Sequence, residues 1–369
     1  MSDTSHAAPA TGLMGLADPS APLPSTLLDA PGGFAWWYVD HLDEAGNGLV
    51  CIWSFGLPFL PGYLDAARRG APERPRARPS LNLALYAEGK PTFYLLQAYP
   101  EEEATWRGDT WRLGASRFHL EGEDGRRHLR AELDLPLPRG GRLRGLLALE
   151  GPTPVTEQAD DPDHPHLWSP VTGPATLQAD LHIGDEHHRL AGPAYHDRNG
   201  GTVPLDRLGI GRWTWGRFVT DGSTRIYYVL WPEAGGPPQA WGVELGAEGQ
   251  VRRYPNLQVT LQDEVRARYG VRHPRRVTLH QGDAPWIDVR TEAVVDDGPF
   301  YLRTLVRDGD ARGIGEWVVP ARVDRAWQRP FVRMRVHQPA GPNSMWLPLF
   351  AGPAQGRLRR LLGGDGGAR

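Results

Sequence analysis

The feature of this chain that most restricts its fold is a period of two. The runs "NLALYAE" from Asn82, "RHLRAELDLPL" from Arg127, "RLRGLLALEG" from Arg142, "TLQADLHIG" from Thr176 and "NLQVTLQD" from Asn256 alternate apolar with polar residues. Successive side chains of a strand point to opposite faces, so each run buries one face and solvates the other, the habit of antiparallel sheet. Glycine and proline, 45 and 35 of the 369 residues, separate such runs, as in "GEDGR" at Gly122 and "PRGGR" at Pro138. Many short strands punctuated this way predict a barrel or sandwich and argue against alternating strand–helix units. Only "PGYLDAARRG" from Pro61 and "AQGRLRRLLGG" from Ala354 read as helical, and both are short.

A chain of this length has room for two domains. The expected division is a disordered leader over residues 1–25, one strand-rich domain over 26–185, a second over 186–350, and a short helix with a flexible tail over 351–369. Each block has about the length of a closed antiparallel barrel. The acidic, proline-interrupted stretch "EQADDPDHPHLWS" from Glu157 is expected to link the blocks or to loop over the mouth of one.

Composition excludes several classes of function. A formal net charge of -3 leaves no global basic surface to neutralise phosphates, so nucleic acid is not an expected partner. Lys90 is the sole lysine, which argues against lysine-based covalent chemistry. Cys51 is the sole cysteine, which rules out an internal disulfide, argues against a cysteine-rich zinc site and fits a reducing compartment, the cytoplasm by default. The N-terminus has neither a basic region nor a continuous apolar one, so a secretory signal is not expected. No run approaches the roughly 18 apolar residues of a membrane-spanning helix, so any membrane contact is expected to be peripheral and transient.

The 14 tryptophans point to an aromatic lining or an aromatic core. Trp213 and Trp215 in "RWTWGRF" share one face if that run is a strand, and barrels of this size can enclose an apolar ligand. His164, His166, His182, His187, His188 and His196 concentrate in a short span, yet no "HExxH" occurs and His187 and His188 diverge on a strand, so no metal site is expected. The stretch "GPAYHDRNGGTVPL" from Gly192 packs Tyr195, His196, Asp197, Arg198 and Asn199 together before a glycine pair. By turn chemistry alone it reads as a solvated loop.

Its pattern reverses that reading. The chain resembles the carotenoid 1,2-hydratases, or hydroxyneurosporene synthases, of a wider lipocalin-like hydratase superfamily. The resemblance is carried by Y-x-D-x-N-x-G-x-x-P-L at Tyr195, Asp197, Asn199, Gly201, Pro204 and Leu205, then by Trp213 and Trp215. It is carried too by "GGFAWWYVDHL" from Gly32, "LNLALY" from Leu81, His166 with Trp168, and "DRAWQRPFVRMRV" from Asp324. The resemblance implies an all-β fold of two lipocalin-like antiparallel β-barrel domains. It also implies cofactor-free addition of water across a terminal C=C of an acyclic carotenoid, with the functional residues falling on His166, Trp168, Tyr195 and Asp197. Trp213, Trp215, Asn199, Trp37, Tyr63 and Asn82 are the candidate substrate-binding residues. Where photosynthetic-bacterial members carry "SPYYAWARR" and "NHCALN", this chain has "LPGYLDAARR" and "ARPSLN", so a tunnel lined by those positions has a different shape here.

Hydration of an isolated alkene starts with protonation of carbon, and that demands an acid. A free aspartic acid with a pKa near 3.9 is ionised at neutral pH, whereas desolvation raises a carboxyl by up to roughly 3–5 units. Asp197 is therefore expected to be buried among rings, supported by a neutral His166 or His196, with the aromatic faces of Trp168 and Tyr195 beside the developing cation. Asp206 and Arg207 read as a solvated pair. Two other readings use the same residues, namely a lipocalin-like carrier of an apolar polyene and a cyclase or isomerase using the same acid.

Overall fold

A computed structural model of the protein describes residues 12–339 apart from 139, 158 and 221. The expected C-terminal helix and tail from residue 351 lie outside the described residues. Among the described residues the alternating runs pair, almost wholly antiparallel, into one sheet of 13 strands and one of nine. The first sheet crosses from Lys90–Ala98 through Pro79–Ala87, Gly48–Phe55, Phe34–Leu42, Glu186–Gly201, His166–Ile183, Arg142–Pro152, Arg126–Pro136, Ser116–Glu123 and Thr110–Leu113 to Ala104–Arg107. The second begins at Val251–Tyr254, passes through Gln239–Gly246, Ser223–Pro232, Ile210–Thr220, Ala311–Val318 and Tyr301–Asp308, and ends at Gln258–Arg266.

Each sheet curls on itself in the lipocalin manner. Trp37, in mid-sheet, meets Trp106 and Trp111 from the far edge strands at ring distances of 4.6 and 4.9 Å. In the second sheet Tyr254 of an edge strand lies 4.8 Å from Trp286 on Ala284–Asp297. The approach there requires glycine, because a Cβ on Gly242 would fall 2.2 Å from the Trp286 ring. The curls are packed with side chains, Trp37, Trp53, Trp111 and Phe118 in the first, and Phe218, Tyr227, Leu279 and Trp317 in the second.

A third apolar cluster lies between the sheets. Period-two geometry assigns residues to it by parity: on Phe34–Leu42, Trp37 and Val39 point into the first curl and Phe34 and Tyr38 toward the second sheet. On Ile210–Thr220, Trp213 and Trp215 face the first sheet while Phe218 faces its own interior. Both faces of the central strands are thus buried, which is why the solvated alternation of residues 186–193 gives way to unbroken burial over residues 194–201.

Three expectations about organisation are corrected. The leader ends sooner than residue 25: Gly15 and Leu16 pair in parallel with Leu167 and Trp168, and the buried Arg198 guanidinium donates to the carbonyls of Asp18 and Pro19 at 3.0 and 3.2 Å. The boundary falls not after residue 185 but beyond residue 201, near the 3-10 turn Leu205–Arg207, because Glu186–Gly201 pairs with both His166–Ile183 and Phe34–Leu42. The second block does not run on as one domain to residue 350 either, since Val336–His337 returns to pair with Lys90–Ala98 of the first sheet. The acidic stretch ties the two sheets together, Asp160 receiving both Arg253 terminal nitrogens at 2.9 Å. Asp206 pairs with Arg68 at 2.6 Å, not with Arg207.

Candidate functional site between the two sheets

The space for a ligand lies between the curled sheets and not inside either barrel, which corrects the expectation of an enclosed barrel cavity. A cavity of about 610 Å³ opens there, within the range of small-molecule sites. The strand Glu186–Gly201 forms one wall, presenting Tyr195, Asp197 and Asn199 on alternate positions to the second sheet.

Asp197 is 3 % exposed and lines the cavity. Its Oδ2 accepts the Trp168 indole N–H at 2.8 Å and the Tyr195 hydroxyl at 3.1 Å, while Oδ1 has no partner among the described residues. Loss of hydration pushes the carboxyl well above the usual aspartate range; the two donors pull the other way, and the charges of Glu316 and Asp40 add to the rise. Trp168 and Tyr195 stand behind the carboxylate, fully buried, and Trp168 packs on Tyr228 and Trp241 at 5.3 and 5.4 Å.

His166 also lines the cavity, edge-on to Phe34, and burial holds its pKa down at about 3, so it is neutral. The Asn199 side chain lies against both the His166 ring and the Tyr228 hydroxyl. His196 is on the opposite face: it points into the first curl, 5.5 Å from the Trp53 ring, with Nδ1 against the Tyr38 carbonyl at 2.8 Å. Neither histidine hydrogen-bonds the Asp197 carboxyl among the described residues, and parity removes His196 as a candidate partner.

Of the candidate substrate-binding residues, Trp213, Trp215, Asn199 and Asn82 line the cavity. The Asn82 amide is already engaged, donating to the Leu95 carbonyl at 2.9 Å. Two candidates are corrected. Trp37 belongs to the interior of the first curl, stacked 6.1 Å from Trp53, and its neighbour Trp36 takes the cavity position. Tyr63 sits in the short helix Tyr63–Arg68 with its hydroxyl donating to the Gly33 carbonyl at 2.6 Å, a structural bond away from the cavity lining.

The sequence reading missed the opposite wall. Glu316 and Arg303 line the cavity as an ion pair at 3.0 Å, and Glu316 Oε1 also accepts the Tyr301 hydroxyl at 2.6 Å. Arg303 donates to the Tyr86 hydroxyl at 3.1 Å, while Glu316 Oε2 makes no hydrogen bond among the described residues. Behind Tyr38, whose hydroxyl donates to Asp40 at 2.7 Å, lies the fully buried Arg217–Asp40 pair. The available signal was a single acid in the uncharged run "GIGEWVVP" from Gly313.

Among the described residues one group has metal-ligand spacing, Asp180, His182 and His187 on the exposed end of the hairpin His166–Gly201. The carboxylate there is engaged by His187 at 2.8 Å and Arg189 at 3.1 Å. His188, as expected from its parity, turns to a different partner, Glu186.

Two lipocalin-like sheets meet over a cavity with a buried carboxyl among rings, and comparison gives the family. The sequence profile described as Carotenoid hydratase CrtC matches residues 52–343. The chain belongs to this carotenoid hydratase family and is by that membership a hydro-lyase. Its relatives include a hydroxyneurosporene dehydrogenase of Chlorobaculum tepidum, 27% identical over 87% of this chain and 91% of that protein. An acyclic carotenoid 1,2-hydratase of Thiocapsa roseopersicina is 29% identical over 80% of this chain and 69% of that one. The fold resembles the crystal structure of a candidate AttH protein from Nitrosomonas europaea, with a TM-score of 0.56 at 16% identity, covering 82% of this chain and 98% of that one.

Proposed function

We propose that the protein adds water to a terminal C=C of an acyclic carotenoid or a related isoprenoid, with Asp197 as the acid and without a cofactor. The observation that carries this reading is the Asp197 carboxyl, shifted by burial toward its neutral form at the wall of a largely apolar cavity, with one oxygen held and the other open. The names of the relatives supply the substrate class.

The O–H bond at Asp197 Oδ1 breaks as the π electrons of the alkene take the proton onto the less substituted carbon. Positive charge develops at the tertiary carbon, facing the rings of Tyr38, Trp215 and Tyr228, which are worth about 2 kcal/mol or more each when desolvated. The new carboxylate is met at Oδ2 by two donors already in place, the preorganised arrangement that lowers the cost of forming the charge. A water oxygen then forms the C–O bond, and its surplus proton returns to Asp197, so the enzyme ends as it began. Glu316 supports the same step, since its free Oε2 is an acceptor for that water in a cavity that offers few polar atoms. The two carboxyls thus divide the roles: burial favours the protonated form of one, and an arginine partners the other.

The experiment is turnover of an acyclic carotenoid in oxygen-18 water. Label in a hydroxyl on the more substituted carbon is the expected result. A turned-over product without label means cyclisation or isomerisation by the same acid, and tight binding without turnover means a carrier.

A further inference from the structure

Five large apolar side chains stand exposed among the described residues, and three of them, Tyr269, Trp327 and Phe331, line the cavity between the sheets. They come from two separate parts of the chain, the turn after Gln258–Arg266 and the segment around the short helix Arg329–Arg333. Trp327 is 66% and Phe331 57% exposed, an arrangement that costs hydrophobic free energy unless something covers it.

Four exposed arginines stand in the same two segments. Arg266, Arg268, Arg325 and Arg333 are exposed beside these rings and form no ion pair among the described residues. The two carboxylates at the same opening are already engaged: Asp296 by Arg335 at 2.8 Å, and Asp297 by the Arg268 backbone N–H at 3.0 Å. Indole and phenol rings settle at the headgroup level of a bilayer, and arginines are drawn to anionic headgroups. No helix among the described residues is long and apolar enough to cross a membrane, so contact through this rim would be superficial.

We propose that Tyr269, Trp327 and Phe331, ringed by these arginines, dock the cavity opening onto an anionic lipid surface, so that an apolar substrate passes from lipid to cavity without crossing water. The proposal rests on the reading of the cavity as a polyene site. It adds the partner and the surface that meets it.

The test is co-sedimentation of the full chain with vesicles of phosphatidylcholine containing phosphatidylglycerol, against vesicles of phosphatidylcholine alone. Binding is expected only with the anionic lipid, with a blue shift of tryptophan emission as Trp327 leaves water. Arg325→Gln with Arg333→Gln is expected to weaken binding about 30-fold, the factor for two arginines at an anionic leaflet. Val155→Asp, at an exposed apolar residue outside the cavity lining, is expected to leave binding unchanged. Absence of binding by the wild type, equal weakening by Val155→Asp, or self-association lost in the arginine variant without lipid binding would each overturn the proposal. Turnover is read in parallel from neutral detergent micelles. Turnover there without vesicle binding removes the docking surface alone, and vesicle binding without turnover from either source removes the hydratase reading alone.

Discussion

Asp197→Asn separates two consequences of a buried neutral acid, one for rate and one for stability. The amide has the size of the acid and its oxygen still accepts from Trp168 and Tyr195, so the cavity wall is kept. Turnover is expected to fall about 10²–10⁴-fold, the usual contribution of a general acid. Stability moves the other way. In the unfolded chain the carboxyl titrates near 3.9, and in the native chain burial holds it well above that, so native protein binds a proton that unfolded protein has released. The native state therefore carries no penalty below the unfolded value. It loses about 1.4 kcal/mol for each pH unit as pH rises toward the native value, after which the loss is constant. The asparagine variant has no such term. Subtracting the two proteins' unfolding free energies, from urea titrations at several pH values between about 4.5 and 8, cancels the other titrating groups. The difference is expected to grow in favour of the variant over that window. Two parallel stability curves would refute the reasoning, because they would mean that Asp197 is ionised in the folded protein, whatever happened to activity.

Other perturbations test neighbouring steps. Trp168→Phe removes one donor from the nascent carboxylate; at about 1.5–3 kcal/mol for a hydrogen bond to a charged acceptor, kcat is expected to fall roughly 10–100-fold, with the alkaline limb of its pH profile moved upward. Glu316→Gln is expected to lower kcat about 10-fold with little change in KM, measured by steady-state kinetics, since it weakens one hydrogen bond to the water. Trp37→Ala is expected to cost about 3–5 kcal/mol in urea unfolding, whereas Trp36→Ala raises KM at smaller cost to stability. His166 and His196, both near pKa 3 when folded, contribute stability that is present above about pH 6.5 and lost as pH falls toward 3. His196→Gln is expected to flatten that acid limb by one proton, read from unfolding free energies between about pH 4 and 6.5.

The strand content was legible because alternation is a direct record of one-sided burial, as in residues 127–137 and 142–151. What misled was burial on two sides. In residues 194–201 both faces are covered, so the pattern that marks a strand vanished and the stretch read as a turn until its motif was recognised. The same cause explains the exchange of Trp37 for Trp36: parity says that adjacent tryptophans oppose each other, but not which face is the cavity. Tyr63 was drawn in by its place in a motif, and its hydroxyl instead closes a backbone carbonyl. The division expected after residue 185 falls on the tip of a hairpin, because His166–Ile183 and Glu186–Gly201 pair along their length. The Glu316–Arg303 wall left only the lone acid of "GIGEWVVP" as a sign, since its place depends on which strands of the second sheet face the first.

Asp197 rides on one curled sheet and Glu316 on the other, each with a filled interior of its own. On the proposed mechanism the reaction centre is therefore assembled only when the halves meet, and a small slide of one past the other would respace donor and water without disturbing either interior. On that same proposal, polyenes of different length or end-group bulk need no new catalytic side chains, only a different setting of this seam.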